Sequence, residues 1–211
     1  MSRAGFTAAL VAGGKSSRMG SDKRFIQIHG EPLWRRQLAT LEALGPTELL
    51  ISADPGAHWP RGTRVVPDRE PGQGPLGALR ALLSAASYDR VLVLAVDLPM
   101  MTPAFLGSLL DVPGSLGAVP RHEDVFEPLA AVYPRACLPV ADELLQRREL
   151  SLQGFVRTTI RGGLTRTIDI GPEQAALFVN LNTPAQVKAL RLSQCAAVAL
   201  APRDLSPALG V

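Results

Sequence analysis

The sequence predicts an α/β fold, doubly wound and three layers thick, around a mostly parallel, partly mixed sheet. Three observations carry this. The apolar run from Phe6 to Val11 breaks into the paired glycines Gly13-Gly14, as a buried strand does on entering a turn. A second unbroken apolar run, Arg90 to Val96, is the pattern of a central parallel strand covered on both faces. Between and after these runs, strand-like and helical segments alternate, which implies right-handed crossovers and ligand sites at the carboxyl ends of the strands.

Taken in order, Phe25-Ile26-Gln27-Ile28 is a short apolar segment closed by His29-Gly30. A helix begins at Glu31-Pro32-Leu33-Trp34, with Pro32 near its first turn and Leu33, Leu38, Leu41 and Leu44 roughly on one face, and Gly45-Pro46 ends it. Strands follow at Glu48 to Ser52 and Arg64 to Val66, the second stopped by Pro67-Asp68. The glycine and proline loop Glu70 to Gly77 leads into a helix through Leu79, Leu82 and Leu83, and the chain returns in the central run that ends at Asp97-Leu98-Pro99.

Beyond it, Pro103 to Leu110 reads as a helix, Leu116 to Pro120 as a strand, Arg121 to Pro128 as a hairpin turn and Leu129 to Tyr133 as a strand. That hairpin departs from simple alternation, so the second half of the sheet is expected to be mixed. Helices are expected from Arg135 to Arg148 and from Ser151 to Thr159, and strands at Thr165 to Ile170 and Ala176 to Val179. Asn182-Thr183-Pro184 caps a last helix to about Leu192. The division expected is one domain over residues 1–192 and an Ala- and Pro-rich tail, 193–211, poorly ordered or loosely docked.

Composition excludes several classes. With 46% hydrophobic and 19% charged residues the chain of 211 is globular. Its formal charge of +3 suits anionic small molecules, and no basic stripe interleaved with aromatics marks a nucleic-acid surface. Cys137 and Cys195 are the two cysteines, too few for a disulfide framework or a cysteine-rich zinc site. No apolar run approaches the roughly 20 residues that span a bilayer. Met1-Ser2-Arg3-Ala4-Gly5 leads straight into the first strand, where a cleavable signal would destroy the fold. The expected setting is cytoplasmic, with neither membrane nor nucleic acid as partner.

The opening loop carries the chemistry. Its glycines allow backbone N–H groups to approach a phosphate or a base edge, and Arg18 and Lys23 can neutralise a polyphosphate; a tight turn with solvated cations is the plainer alternative. Gly14-Lys15-Ser16 nearly completes a P-loop, but the first glycine of that pattern would fall at Ala9, inside the strand. The Gly-x-Gly-x-x-Gly spacing of a dinucleotide loop is also missing. Asp97 ends a strand and can either cap the following turn or hold Mg²⁺ against ligand phosphates. Asp68 divides in the same way between turn and ligand contact. His29, His58 and His122 lack ligand spacing. Trp34 reads as core and Trp59 as a local packing anchor.

From Ala12 to Lys23 the chain reads Ala-Gly-Gly-x-Ser-x-Arg-Met-Gly-x-Asp-Lys, and Gly74-Pro75-Leu76-Gly77, Asp97-Leu98-Pro99 and Phe178-Val179-Asn180-Leu181-Asn182-Thr183-Pro184 follow in order. Together these resemble the molybdenum cofactor guanylyltransferases, a branch of the nucleoside-triphosphate transferases, over the chain to about Leu192. The resemblance implies a Rossmann-like fold of the nucleotide-diphospho-sugar transferase type. It also implies a reaction in which GTP and molybdopterin yield the guanine dinucleotide and pyrophosphate, with Mg²⁺. Arg18 and Lys23 would serve the triphosphate, Lys23 at the reacting phosphates. Val11, Ala12, Gly13 and Gly14 would present backbone to the guanine and its sugar, Asp68 would contact the nucleoside, and Asp97 would take part in catalysis and bind the metal.

Asn182 is either a helix cap or a contact to the pterin. Ser52 stands where relatives often carry an asparagine that contacts the nucleotide. Proteins that deliver or accept the cofactor are possible further partners. The nearest rival is a cytidylyltransferase acting on the same cofactor, or another transferase with a small phosphorylated acceptor. A rival of another class is a non-catalytic nucleotide-binding module, and a P-loop hydrolase is a third.

Overall fold

The computed structural model describes residues 4–13, 26–28, 30–53, 59, 63–67, 72–181 and 186. The expectations for Gly14, Arg18, Lys23, Asp68, Asn182, Cys195 and the tail therefore lie outside the described residues.

β1, Thr7–Val11, is wholly buried and lies between β4, Glu48–Ser52, and β6, Arg90–Ala95, parallel to both. β5, Arg64–Val66, extends the parallel half beyond β4. On the other side β9, Ala130–Pro134, pairs antiparallel with β6 and with β7, Gly117–His122, and β10, Thr165–Asp169, closes that edge parallel to β7. β8, Val125–Phe126, folds back on β7 as a hairpin. Among the described residues the order is β10-β7-β9-β6-β1-β4-β5, eight strands with β8, mixed in its second half as expected.

Each face of the sheet buries its own apolar layer. Ala8, Leu10, Ile51, Leu92 and Leu94 face α1, Leu33–Glu42, and α3, Pro103–Leu110. Ala9, Val11, Leu50, Val91 and Val93 face α2, Gly74–Ala85, with α4, Leu138–Gln146, and α5, Leu152–Arg161. Strands covered on both sides need apolar side chains at every position, which is why Leu92 and Val93 follow one another without alternation. No helix among the described residues is long and apolar enough to cross a membrane.

Four local expectations change. Glu31–Pro32 forms β3, a two-residue strand against β2, Gln27–Ile28, and α1 starts two residues later than expected, at Leu33, with Pro32 supplying extended backbone at its N-cap. Gly74, at φ +62°, already opens α2. The helix expected from Arg135 divides into a 3-10 turn, Arg135–Cys137, and α4. Pro139 lacks an N–H and fits only the first α-helical turn, so the regular helix begins just before it. The strand expected at Ala176 to Val179 is instead a 3-10 turn, Ala176–Phe178, directly after α6, Pro172–Ala175. Phe178 alone is buried there, edge-on to Phe105 at 5.3 Å between ring centroids, while Val179 is 47% exposed. One anchoring ring, without alternation, does not make a strand.

Glu48 ties the entry of β1 to that of β4 and to the turn before β6. It accepts from Thr7 Oγ1 at 2.7 Å, Ser87 N–H at 2.8 Å and Ser87 Oγ at 2.8 Å, with Arg64 at 3.4 Å. Burial alone would raise its pKa, but these donors outweigh it and hold the carboxyl below the usual range. The folded pKa lies below the unfolded one, so this stabilisation is complete above the ordinary carboxylate pKa and is lost as pH falls through the lowered folded one. Glu48→Gln should cost about 1–3 kcal/mol at neutral pH. Urea melts should show the gap to wild type narrowing toward about pH 3.

Candidate active site

Val11 stands in register with Ser52 on one side and Ala95 on the other, so β4, β1 and β6 finish on a single rung. From β1 the chain passes first to β4 and later, through α2, to β6 on the opposite flank. This is a topological switch point, where a crevice opens outside the carboxyl ends of the strands. The last bonds of the rung are Ala12 N–H to Ser52 O at 2.9 Å and Val96 N–H to Val11 O at 3.0 Å. Directly past them lie Gly13 and Asp97. The fold thus sets the start of the glycine loop beside the strand-end carboxylate, although the two are far apart in sequence.

At Gly13 an added Cβ would sit 3.6 Å from Ser52 O, an ordinary contact. The described neighbours do not require a glycine there. Ser52 is 1% exposed, and its Oγ has no hydrogen-bond partner among the described residues. A buried unpaired hydroxyl is costly, so Ser52 has a polar atom available at this rung.

Asp97 is partly exposed, on a turn braced from three directions. Its own carbonyl accepts Leu181 N–H at 3.0 Å, which brings the Phe178 to Leu181 segment to the rim. From α1, Gln37 Nε2 donates to Leu98 O, and Arg36 Nε donates to Pro99 O at 3.1 Å. Gln37 is completely buried. Sequence reasoning passed over Gln37 and Arg36, yet a signal was present: Gln37 is a polar residue on the apolar stripe of Leu33, Leu38 and Leu41. Asn180 makes a local bond to Phe178 O at 3.5 Å.

Other candidates sit apart from the rim. Trp34 and Trp59 pack edge to face at 5.3 Å. Burial pushes the Cys137 thiol up to about 12, which leaves it an inert core group. A cleft between β5 and α2 carries Arg64 and Arg80, but these are engaged by Glu48 and Asp142.

Fold and rim together define an α/β protein with a candidate ligand crevice at its topological switch point. The family description MobA-like NTP transferase domain matches residues 8–162, and the chain belongs to this family. A relative from Opitutus terrae, named probable molybdenum cofactor guanylyltransferase, is 37% identical over 83% of this chain and 90% of its own length. The molybdenum cofactor guanylyltransferase of Pseudomonas fluorescens is 34% identical over 83% and 88%. Among solved structures, the molybdopterin-guanine dinucleotide biosynthesis protein A of Archaeoglobus fulgidus aligns with a TM-score of 0.72 at 19% identity, covering 90% of this chain and 99% of that one. The 2-C-methyl-D-erythritol 4-phosphate cytidylyltransferase of Thermus thermophilus shares the fold with a TM-score of 0.65 at 17% identity, over 89% and 98%. A fold common to both does not select the base.

Proposed function

We propose that this chain moves GMP from Mg-GTP to the terminal phosphate of molybdopterin, with or without its metal, and releases pyrophosphate. The observation that carries the reading is the shared rung of Val11, Ser52 and Ala95, directly past which Gly13 and Asp97 follow. The names of the relatives favour guanine over cytosine. A biosynthetic reaction of this kind suits the cytoplasm.

In this reading the backbone from Val11 to Gly14 meets the base and sugar, and Ser52 and Asp68 hold the nucleoside side. Arg18 and Lys23 neutralise the triphosphate, Lys23 where the phosphates react, and Asn182 touches the acceptor. A hard carboxylate oxygen at Asp97, facing ligand phosphates, suits Mg²⁺, which prefers few protein carboxylates and retains phosphate or water ligands. Mg²⁺, when bound, supplies charge stabilisation at the phosphate oxygens. The acceptor phosphate attacks the α-phosphorus in line as pyrophosphate leaves, so the protein supplies alignment and charge compensation.

The test is pyrophosphate release from GTP, CTP and ATP, each with and without molybdopterin, beside equilibrium binding of the three nucleotides. Acceptor-dependent release from GTP is expected. Tighter binding and faster turnover of CTP would replace guanine with cytosine. Nucleotide binding without transfer would leave a binding module, and phosphate release without acceptor a hydrolase.

A further inference from the structure

The sheet is interrupted beside the rim by a bulge that presents one carboxylate. Ala118 of β7 faces Val132 of β9, whereas Arg121 and His122 face Phe126 and Val125 of β8. Continued toward each other, the two ladders bring both Glu127 and Ala130 opposite Pro120, so the chain from Glu127 to Leu129 loops out between them. Bulges of this kind re-aim side chains and are common next to active sites. Leu129 O accepts Ala95 N–H at 2.7 Å, which lays the bulge along the exit of β6 toward Asp97.

The bulge is held firmly. Glu127 N–H donates to Pro120 O at 2.8 Å, and Ala130 N–H donates to Glu127 O at 3.3 Å. Tyr133, completely buried, donates through its hydroxyl to Pro128 O at 2.8 Å. Gln153 accepts from Phe126 N–H at 3.1 Å and donates to Phe126 O at 2.8 Å.

The bond from Glu127 N–H to Pro120 O carries the alternation of β8 one residue further. Val119 and Phe126 belong to the layer of α2, α4 and α5, so Pro120 and Glu127 take the opposite face, with α1, α3, Leu98, Phe178 and Leu181. That is the face of the brace around Asp97. No described residue donates a hydrogen bond to the Glu127 carboxylate, and His122 acts on it through charge alone.

We propose that Glu127 is an acceptor-binding residue, its carboxylate taking the N–H donors of the pterin's aminopyrimidinone ring while the acceptor phosphate faces the nucleotide. This rests on the transferase reading above. A carboxylate repels phosphate oxygens, and two parallel N–H groups match its two oxygens with charge-assisted bonds. Stability argues in the same direction. Burial pushes the Glu127 carboxyl up, with His122 opposing. A raised folded pKa gives a contribution to stability that is present below the unfolded pKa and lost as pH rises through the folded one. In its ionised form the group therefore costs stability, as binding groups often do.

Glu127→Gln and Glu127→Ala, assayed as full chains with Mg-GTP and varied molybdopterin, test this. Glu127→Ala should lower kcat/KM for the acceptor about tenfold or more, and Glu127→Gln should lower it in the same direction. GTP affinity should stay within about twofold, and the melting temperature of Glu127→Gln should equal or exceed that of wild type. Unchanged acceptor kinetics in both variants, with a wild type that turns over, would overturn the proposal alone. Loss of GTP or Mg²⁺ affinity in parallel would assign Glu127 to the nucleotide side, and a fall in melting temperature matching the activity loss would assign it to the fold; either overturns it. A wild type inactive with this acceptor rejects the transferase reading, and the proposal with it.

Discussion

Asp97→Ala should lower turnover by about two to three orders of magnitude and leave the protein folded. The side chain ends a strand in which Val91 to Ala95 are buried, but it is itself partly exposed, beyond the last rung of the sheet. Its removal leaves no cavity in either apolar layer, so the melting temperature should change little. What is lost is the carboxylate that would hold Mg²⁺ against the reacting phosphates. Asp97→Asn keeps the shape and removes the charge, so it should fall nearly as far. Pyrophosphate release measured against Mg²⁺ concentration checks this, together with Lys23→Ala, which removes the cation proposed for the same phosphates. Turnover of Asp97→Ala within a few-fold of wild type would exclude the mechanism.

Gln37→Leu should reduce turnover about a hundredfold and cost about 1 kcal/mol of stability. Its Nε2 donates to Leu98 O, the carbonyl directly after Asp97, from a completely buried position on α1. The leucine leaves that carbonyl without its donor while keeping the apolar volume. It also removes the buried Oε1, which has no partner among the described residues, and this offsets part of the cost. A site that tolerates errors of only about 1 Å should respond more in rate than in stability. The diagnostic is a shift to higher Mg²⁺ demand with GTP affinity nearly constant. Equal losses in rate and stability would reduce Gln37 to a packing residue.

Much of the fold was legible because its causes are local. The unbroken run Arg90 to Val96 marked a strand covered on both sides, and β6 lies in the interior of the sheet. Pro103 and Leu110 bounded α3 correctly, since Thr102 caps it and Pro103 fits its first turn. The segment from Ala176 to Val179 misled because four residues rich in apolar side chains carry too little period to separate a strand from a turn. Of the candidate site, Val11, Ala12, Gly13, Ser52 and Asp97 fall on one rim. Gln37 was hidden because a polar residue on an apolar stripe shows that something is unusual without showing its partner, which lies 61 positions away.

The sequence by itself determined most of the strands and helices and the kinds of residue available for phosphate chemistry, because apolar period, glycine and proline act over a few residues. Only the tertiary structure decided which strand ends meet. The register of β1 with β4 and β6 joins Gly13, Ser52 and Asp97 on one rim, and the bulge turns Glu127 to the face where Leu98 and Leu181 are packed. Both depend on pairing between distant segments, where a shift of one residue would send each side chain to the opposite face.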